Sequence, residues 1–517
     1  MNEVLLIYGI VLLISVIAYY LIPLKYRYIV LLVFSLAFSI IVSKILILFL
    51  IGTATTIYLG ARLIKKNIDT YKEKEEITQE EKNRVKKINK RIVTIVVIVN
   101  IFILGFLKYY LFFRGNFNGL FSILGTSFRL PYLKLLLPIG ISFYTLQGIG
   151  YVVDVYREKY EAQKSFLKVL LFVSFFPSIL EGPISRYDQV SDSLFNGNKA
   201  NYQRIMLGLQ RLIWGLFKKL IVADRVYLLV KTVGDNPREY SGIASLLFII
   251  GYTIQLYADF SGFMDIALGS AELFGVKLPE NFKQPFFSKS VQEFWRRWHI
   301  TLGTWLKDYV FYPIALSPKI NKLASKIRKK WKNHFTKMLP TIIALFVLWI
   351  CNGLWHGPEW KYIFYGIYYF ILIFLGMMME PIFRKVHKKL NINTKAIWYR
   401  VFQIIRTLIL VNIGMTIFGA KNLNDAFYIL TSVFKPYNGS IFALGLDGYE
   451  FVILLIGVGL IFIMSYFNEK NINLFNVIAS KPIYYRWVIY QAVIIFMVIF
   501  GAYGDDYAKV PFIYAEF

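Results

Sequence analysis

Apolar runs separated by short charged stretches fill the chain from one end to the other. The first, Val4 to Leu24, carries no charge and is long enough to cross a bilayer as a helix. Lys25 and Arg27 follow at once, which sets the C-terminal end of that run toward the cytoplasm. Glu3 precedes it, with neither a basic leader nor a small-residue cleavage site, so it reads as a retained transmembrane helix and not as a signal peptide. Further apolar segments fall at Tyr28 to Val42, Ile45 to Gly60, Ile92 to Phe113, Tyr132 to Val153, Phe166 to Leu180, Ile205 to Val222 and Ile243 to Phe263. A later group covers Leu339 to Leu354, Tyr362 to Met379, Val401 to Phe418, Phe451 to Tyr466 and Trp487 to Tyr503. Several are short enough to tilt, re-enter or lie inside the protein. The pattern predicts an all-α polytopic membrane protein with roughly 11–13 transmembrane or re-entrant helices.

The charged stretches between these runs give the organisation. Arg62 to Arg91 mixes eleven Lys/Arg with six Asp/Glu, the composition of a solvated helical hairpin or loop. Lys319 to Lys337 carries eight Lys/Arg and no acid, and Arg384 to Arg400 six and no acid. All three are expected in the cytoplasm, where they orient the bundle and touch anionic lipid headgroups. Lys319 to Lys337 could also guide an anionic ligand. The expected divisions are N-terminal transmembrane helices over 1–60, a charged cytoplasmic hairpin over 61–91, and a core over 92–380 with a basic loop at 319–338. A basic loop over 381–400 and C-terminal helices with an aromatic tail over 401–517 complete the chain.

Composition sharpens this reading. Of 517 residues 57% are hydrophobic and 17% charged, and the mean hydropathy is +0.53, which excludes a soluble multidomain protein and a disordered one. The net charge of +28 does not point to nucleic acid, because the basic residues lie in the loops between apolar runs. A single cysteine, Cys351, rules out an intramolecular disulfide and a cysteine-built zinc site.

Polar groups inside apolar segments are candidates for function. Of four histidines, His334 and His387 sit among lysines in basic loops, where a solvated structural role is expected. His356 closes the string LFVLWICNGLWHG at the end of an apolar helix, before Gly357-Pro358. It could be a general base held near neutrality or a histidine bonded to a backbone carbonyl at the helix end. His299 lies in QEFWRRWHITLGTWLKDY, Gln292 to Tyr309. On one continuous helix Trp295, Trp298, Leu302 and Trp305 would form an apolar stripe, with Arg296 and Gly303 flanking His299. Such a helix would either anchor at the interface or line a polar cavity. Asp259 and Asp265, in the apolar run Gln255 to Gly269, could line a cavity, or pair with Arg296 or Arg297, the second being favoured. Serine-nucleophile, zincin and Walker motifs are absent from the sequence, and neither membrane histidine has an aspartate five residues on.

Eight strings in order carry a resemblance. They are LPIGISFYTLQ (Leu137 to Gln147), YVVDVYR (Tyr151 to Arg157), FFPSILEGPISRY (Phe175 to Tyr187), GLFKKLIVADR (Gly215 to Arg225), YADFSGFMDIALG (Tyr257 to Gly269), LPENFKQPF (Leu278 to Phe286), FWRRWHITLGTWLKDYVFYP (Phe294 to Pro313) and NGLWHG (Asn352 to Gly357). Together they resemble the membrane-bound O-acyltransferases, in the bacterial branch of the alginate O-acetyltransferase membrane subunit and, more distantly, the D-alanyl transfer protein of teichoic acid modification. The resemblance implies a bowl of helices around a central funnel in the bacterial plasma membrane. A cytosolic thioester donor and an extracellular acceptor would meet there.

It also implies that His356 is the catalytic histidine and His299 the second site histidine. Asn352, Trp355, Trp295, Trp298, Trp305, Arg296, Asp259 and Asp265 are expected to line the funnel. His356 would take the proton from an attacking hydroxyl, with His299, Trp355 or Asn352 steadying the oxyanion, and no metal is needed. The ending PFIYAEF, Pro511 to Phe517, is similar to the aromatic ending of this branch and makes Tyr514 a candidate acyl relay, the other reading being an anchor.

Two departures, the basic Lys319 to Lys337 in place of the alginate-type loop and Glu181 before Gly182-Pro183, set the alginate substrate aside. The expected activity is transfer of an acyl group, most plausibly acetyl, to a cell-envelope polysaccharide. D-alanyl transfer, lipid or protein acylation, and a proton-coupled transporter or flippase are the alternatives. No tightly bound cofactor is expected. The expected partners are membrane lipid, acetyl-CoA or an acyl carrier phosphopantetheine, an extracytoplasmic SGNH/esterase-like transferase, and the polymer acceptor.

Overall fold

The computed structural model describes residues 3–73 and 78–503, and all regular structure within them is helical. Among the described residues, nine helical segments are long and apolar enough to cross a membrane: Glu3–Leu21, Leu24–Lys72, Gln79–Ile123, Gly242–Leu273, His334–His356, Trp360–Lys389, Ile397–Gly419, Gly448–Glu469 and Ile483–Phe500. The protein is therefore an all-α polytopic membrane protein. The second segment is two helices, Arg27–Ser43 and Ile47–Lys72, broken where Lys44 takes a left-handed φ of 50°. The described residues of Arg62 to Arg91 lie mostly in the end of Ile47–Lys72 and the start of Gln79–Ile123; Thr78 caps the latter with a capping box in which its hydroxyl accepts from Glu81 N at 3.2 Å.

Tyr132 to Val153 and Phe166 to Leu180 contain backbone outside helices. Tyr132 to Val153 begins without regular structure and becomes helical only at Ile141. Pro131 and Pro138 lack backbone donors, and Gly140 at φ 72° sits where an added Cβ would lie 2.0 Å from the Ile179 carbonyl oxygen. Phe166 to Leu180 splits into Phe166–Ser174 and Phe176–Ile179 at Phe175, whose ψ of 107° is extended, and Pro177 sits in the first turn of the second helix, where its missing N–H is tolerated.

The chain forms two compact units. One comprises the chain up to Ile213 together with Phe263–Pro279; the other comprises Trp214–Gly262 and the described residues from Glu280 on. In the first, Tyr8 packs against Phe38 and Phe176, and Gly208 and Gly269 let two helix backbones touch, an added Cβ on Gly269 falling 2.6 Å from the Gly208 carbonyl oxygen. The second holds His299 and His356 together with the candidate spans from His334 on.

Candidate active site

The helix His334–His356 starts at Asn333, whose Oδ1 accepts from Thr336 N at 2.9 Å, and runs to its last residue, His356. Its C-terminal half is gripped by Trp360–Lys389. An added Cβ on Gly353 would lie 2.3 Å from the Tyr362 carbonyl oxygen, and one on Gly366 would lie 2.4 Å from that of Trp349, so the backbones touch through glycine. The helix stops at His356, and Gly357 leaves it in an extended conformation.

His356 is 3% exposed and walled by rings. Phe418 meets it edge-on at 4.9 Å, Trp355 at 5.0 Å and Tyr365 at 5.7 Å between centroids. Asn352, one turn earlier on the same helix face, is also buried, and its Oδ1 has no hydrogen-bond partner among the described residues.

His299 is placed in another way. The stretch Gln292 to Tyr309 is not the single helix that its tryptophan spacing suggested. Val291–Arg297 ends at Trp298, and Ile300–Leu306 begins after His299, which is left-handed at φ 47°. Pairing with the LPENFKQPF segment replaces the helix ladder at the break. Ile300 N donates to the Asn281 carbonyl at 3.0 Å, and Lys283 N to the Arg297 carbonyl at 2.9 Å. The Asn281 Oδ1 accepts from Thr301 N and Thr301 Oγ1, each at 3.0 Å, and lies 3.3 Å from His299 Nδ1. Burial pushes the His299 imidazole down to about 3, so the ring is neutral at ordinary pH.

The two histidines come together on one side chain. The indole of Trp355 lies 5.3 Å from the His299 ring and 5.0 Å from the His356 ring. Phe260 closes the other side of His299 at 4.8 Å, itself packed on Phe282 at 5.1 Å. Two buried imidazoles thus flank one half-buried indole, surroundings in which an imidazole can exchange protons with little competing water.

The remaining predicted residues separate into groups. Trp295 packs on Trp349 and Tyr369, at 5.1 and 4.8 Å, behind His356. Trp298 stacks on Phe294 and meets Phe282, while Trp305 packs on Tyr309, so both are core residues. Arg296 is exposed, on the face of Val291–Arg297 away from the buried Val291 and Phe294.

The pairing expected between the aspartates and Arg296 or Arg297 does not occur. Asp259 pairs with Lys219 at 2.7 Å, and Lys219 also meets Asp224 at 2.8 Å. Asp265 pairs with Arg211 at 2.9 Å in the other unit, while Arg297 takes Glu469 and Glu293 at 2.6 and 2.7 Å. Each carboxylate reached a cation on a neighbouring helix, a proximity that spacing along one chain segment does not encode. Tyr514 lies outside the described residues. Among the described residues no cluster of three or more His, Cys, Asp or Glu is arranged to hold a metal. Asn281 and Lys219 were not singled out from sequence; both stand inside quoted strings, but nothing in their spacing marked their partners.

Residues 94–327 match the membrane-bound O-acyltransferase family. Over 332 residues the chain is 35% identical to a probable alginate O-acetylase of Pseudomonas syringae pv. tomato, covering 64% of this chain and 58% of that relative, so the chain spans less than two thirds of its length. It is 30% identical to a peptidoglycan O-acetyltransferase of Helicobacter pylori, over 69% of this chain and 67% of the relative. It is 31% identical to a teichoic acid D-alanyltransferase of Bacillus subtilis, over 55% of this chain and 69% of the relative.

Proposed function

Because the chain belongs to the membrane-bound O-acyltransferase family, we propose that it moves an acyl group, acetyl in the favoured reading, from a cytosolic thioester to a hydroxyl of a cell-envelope polysaccharide. The observation that carries this is the pair of buried imidazoles, His299 and His356, packed against the single indole of Trp355. The names of the relatives support a polymer acceptor, and the teichoic acid relative keeps D-alanyl as the alternative acyl group.

In this reading His356 takes the proton of the attacking hydroxyl as its oxygen bonds to the thioester carbonyl carbon. The carbon–sulfur bond then breaks, and the imidazolium returns the proton to the departing thiolate. The Trp355 N–H and the Asn352 amide are the donors at hand for the oxyanion. The donor is acetyl-CoA or an acyl carrier protein, and Tyr514 supplies the attacking hydroxyl, so the acyl group leaves the thiol as a phenolic ester on Tyr514 before it reaches the polysaccharide. An extracytoplasmic SGNH/esterase-like transferase completes delivery.

The test incubates purified protein in lipid with radiolabelled acetyl-CoA or with acyl-loaded carrier protein and follows label on the chain and thioester consumed. The expected result is labelling from one donor, lost in His356→Ala with folding intact. Normal turnover in that variant sinks the assignment. Tyr514→Phe should lose acceptor modification in cells; full modification ends the relay.

A further inference from the structure

A neutral imidazole has one N–H and one lone pair, and which nitrogen holds which decides what it can do in a reaction. At His299 the surroundings make that choice. The backbone N–H of Thr301 donates to Asn281 Oδ1 at 3.0 Å, which identifies that atom as the amide oxygen. An amide oxygen only accepts. The His299 Nδ1 at 3.3 Å from it must therefore be the nitrogen that carries hydrogen, and the lone pair is on Nε2.

The arrangement is held by backbone as well as side chains. The Asn281 carbonyl accepts from Ile300 N, so the residue that receives the imidazole is tied to the residue that follows it. The left-handed φ of His299 turns the ring toward this acceptor, and Phe260 and Trp355 close its faces.

We propose that Asn281 is a positioning residue that locks His299 in its Nδ1–H tautomer, so that His299 enters the acyl-transfer reaction as a hydrogen-bond acceptor through Nε2. This rests on the reading of His299 as a site residue. It changes the expected division of labour. His299 receives a hydrogen bond from the reacting hydroxyl or thiol and does not donate to the oxyanion. Trp355 and Asn352 keep the donor role. Asn281 touches neither substrate nor reacting atom and acts through the ring.

The test reads the tautomer directly. Full-length protein labelled with 15N-histidine and reconstituted in lipid gives signals from four histidines, and His299→Gln identifies the one of interest. The expected spectrum shows hydrogen on Nδ1 and a bare Nε2; hydrogen on Nε2 in the unmodified protein overturns the proposal and needs no variant. Asn281→Asp retains an oxygen acceptor and should retain both the tautomer and acyl transfer. Asn281→Leu should lose the tautomer and lower kcat by at least roughly 10- to 100-fold with little change in KM, the scale known for partners that orient metal-bound imidazoles. An unchanged tautomer in a folded Asn281→Leu protein also overturns it. If the tautomer is as stated but His299→Gln transfers acyl groups at the normal rate, the lock stands and the site reading of His299 falls, so the two failures are told apart.

Discussion

His356 and His299 lie against the same indole yet are held by opposite means. His356 ends a regular helix and is set by backbone packing, with Gly353 and Gly366 bringing two helices into contact and aromatic rings enclosing the imidazole. His299 sits where a helix is broken, in a left-handed conformation, and is held by the hydrogen bonds of Asn281. Ring walls fix the position of an imidazole, as a base placed against one attacking hydroxyl requires. A hydrogen-bonded acceptor fixes the tautomer and suits a group with one constant role.

The comparison can be broken most decisively at His356. His356→Ala should lower acyl transfer by roughly 10²- to 10⁴-fold, the range for a general base, with an unchanged far-UV spectrum and melting temperature; a smaller loss than that from His299→Gln would reverse the two roles. Next in size is the glycine contact. Gly353→Ala should destabilise by about 1–3 kcal/mol, because its Cβ would press on the Tyr362 backbone. Gly303, on the short helix after His299, is the matched control. Its added Cβ meets only the Trp295 carbonyl oxygen at 3.7 Å, so Gly303→Ala should leave stability unchanged or raise it by up to about 1 kcal/mol in the same melt.

The smallest effect is on pH. The folded value of His299, about 3, lies below its ordinary 6.5, so the folded state keeps the ring neutral while the unfolded chain takes up a proton. This contribution is complete above pH ~6.5 and is lost as pH falls toward 3. Melting temperatures between pH 7.5 and 5.5 should fall less steeply in His299→Gln than in the unmodified protein; equal slopes would show that His299 is not buried neutral.

The membrane class, the helical fold and the His356 string were legible because each is a local signal: a run of apolar residues, a basic loop, a helix that stops at Trp-His-Gly-Pro. The tryptophan stripe around His299 misled for a physical reason. Trp295 on one short helix, Trp298 just past its end, and Leu302 and Trp305 on the next keep the same spacing whether or not His299 interrupts them. The break comes from Asn281, which reaches Thr301 from a separate segment. The aspartates misled similarly, since Lys219 and Arg211 approach Asp259 and Asp265 only once helices pack.

The Lys219 cluster bears on how the protein is made. The side chains of Lys219 and Asp259 are each 2% exposed, so neither can be enclosed before the other is available. Lys219 leaves the ribosome 40 residues ahead of Asp259, a delay of roughly 2–8 s at ordinary synthesis rates. Asp224 emerges within a second or so of Lys219 and lies 2.8 Å from it in the finished structure. Of the two carboxylates around the ammonium, Asp224 is therefore made almost together with Lys219, and Asp259 completes the cluster only after the intervening chain has been synthesised.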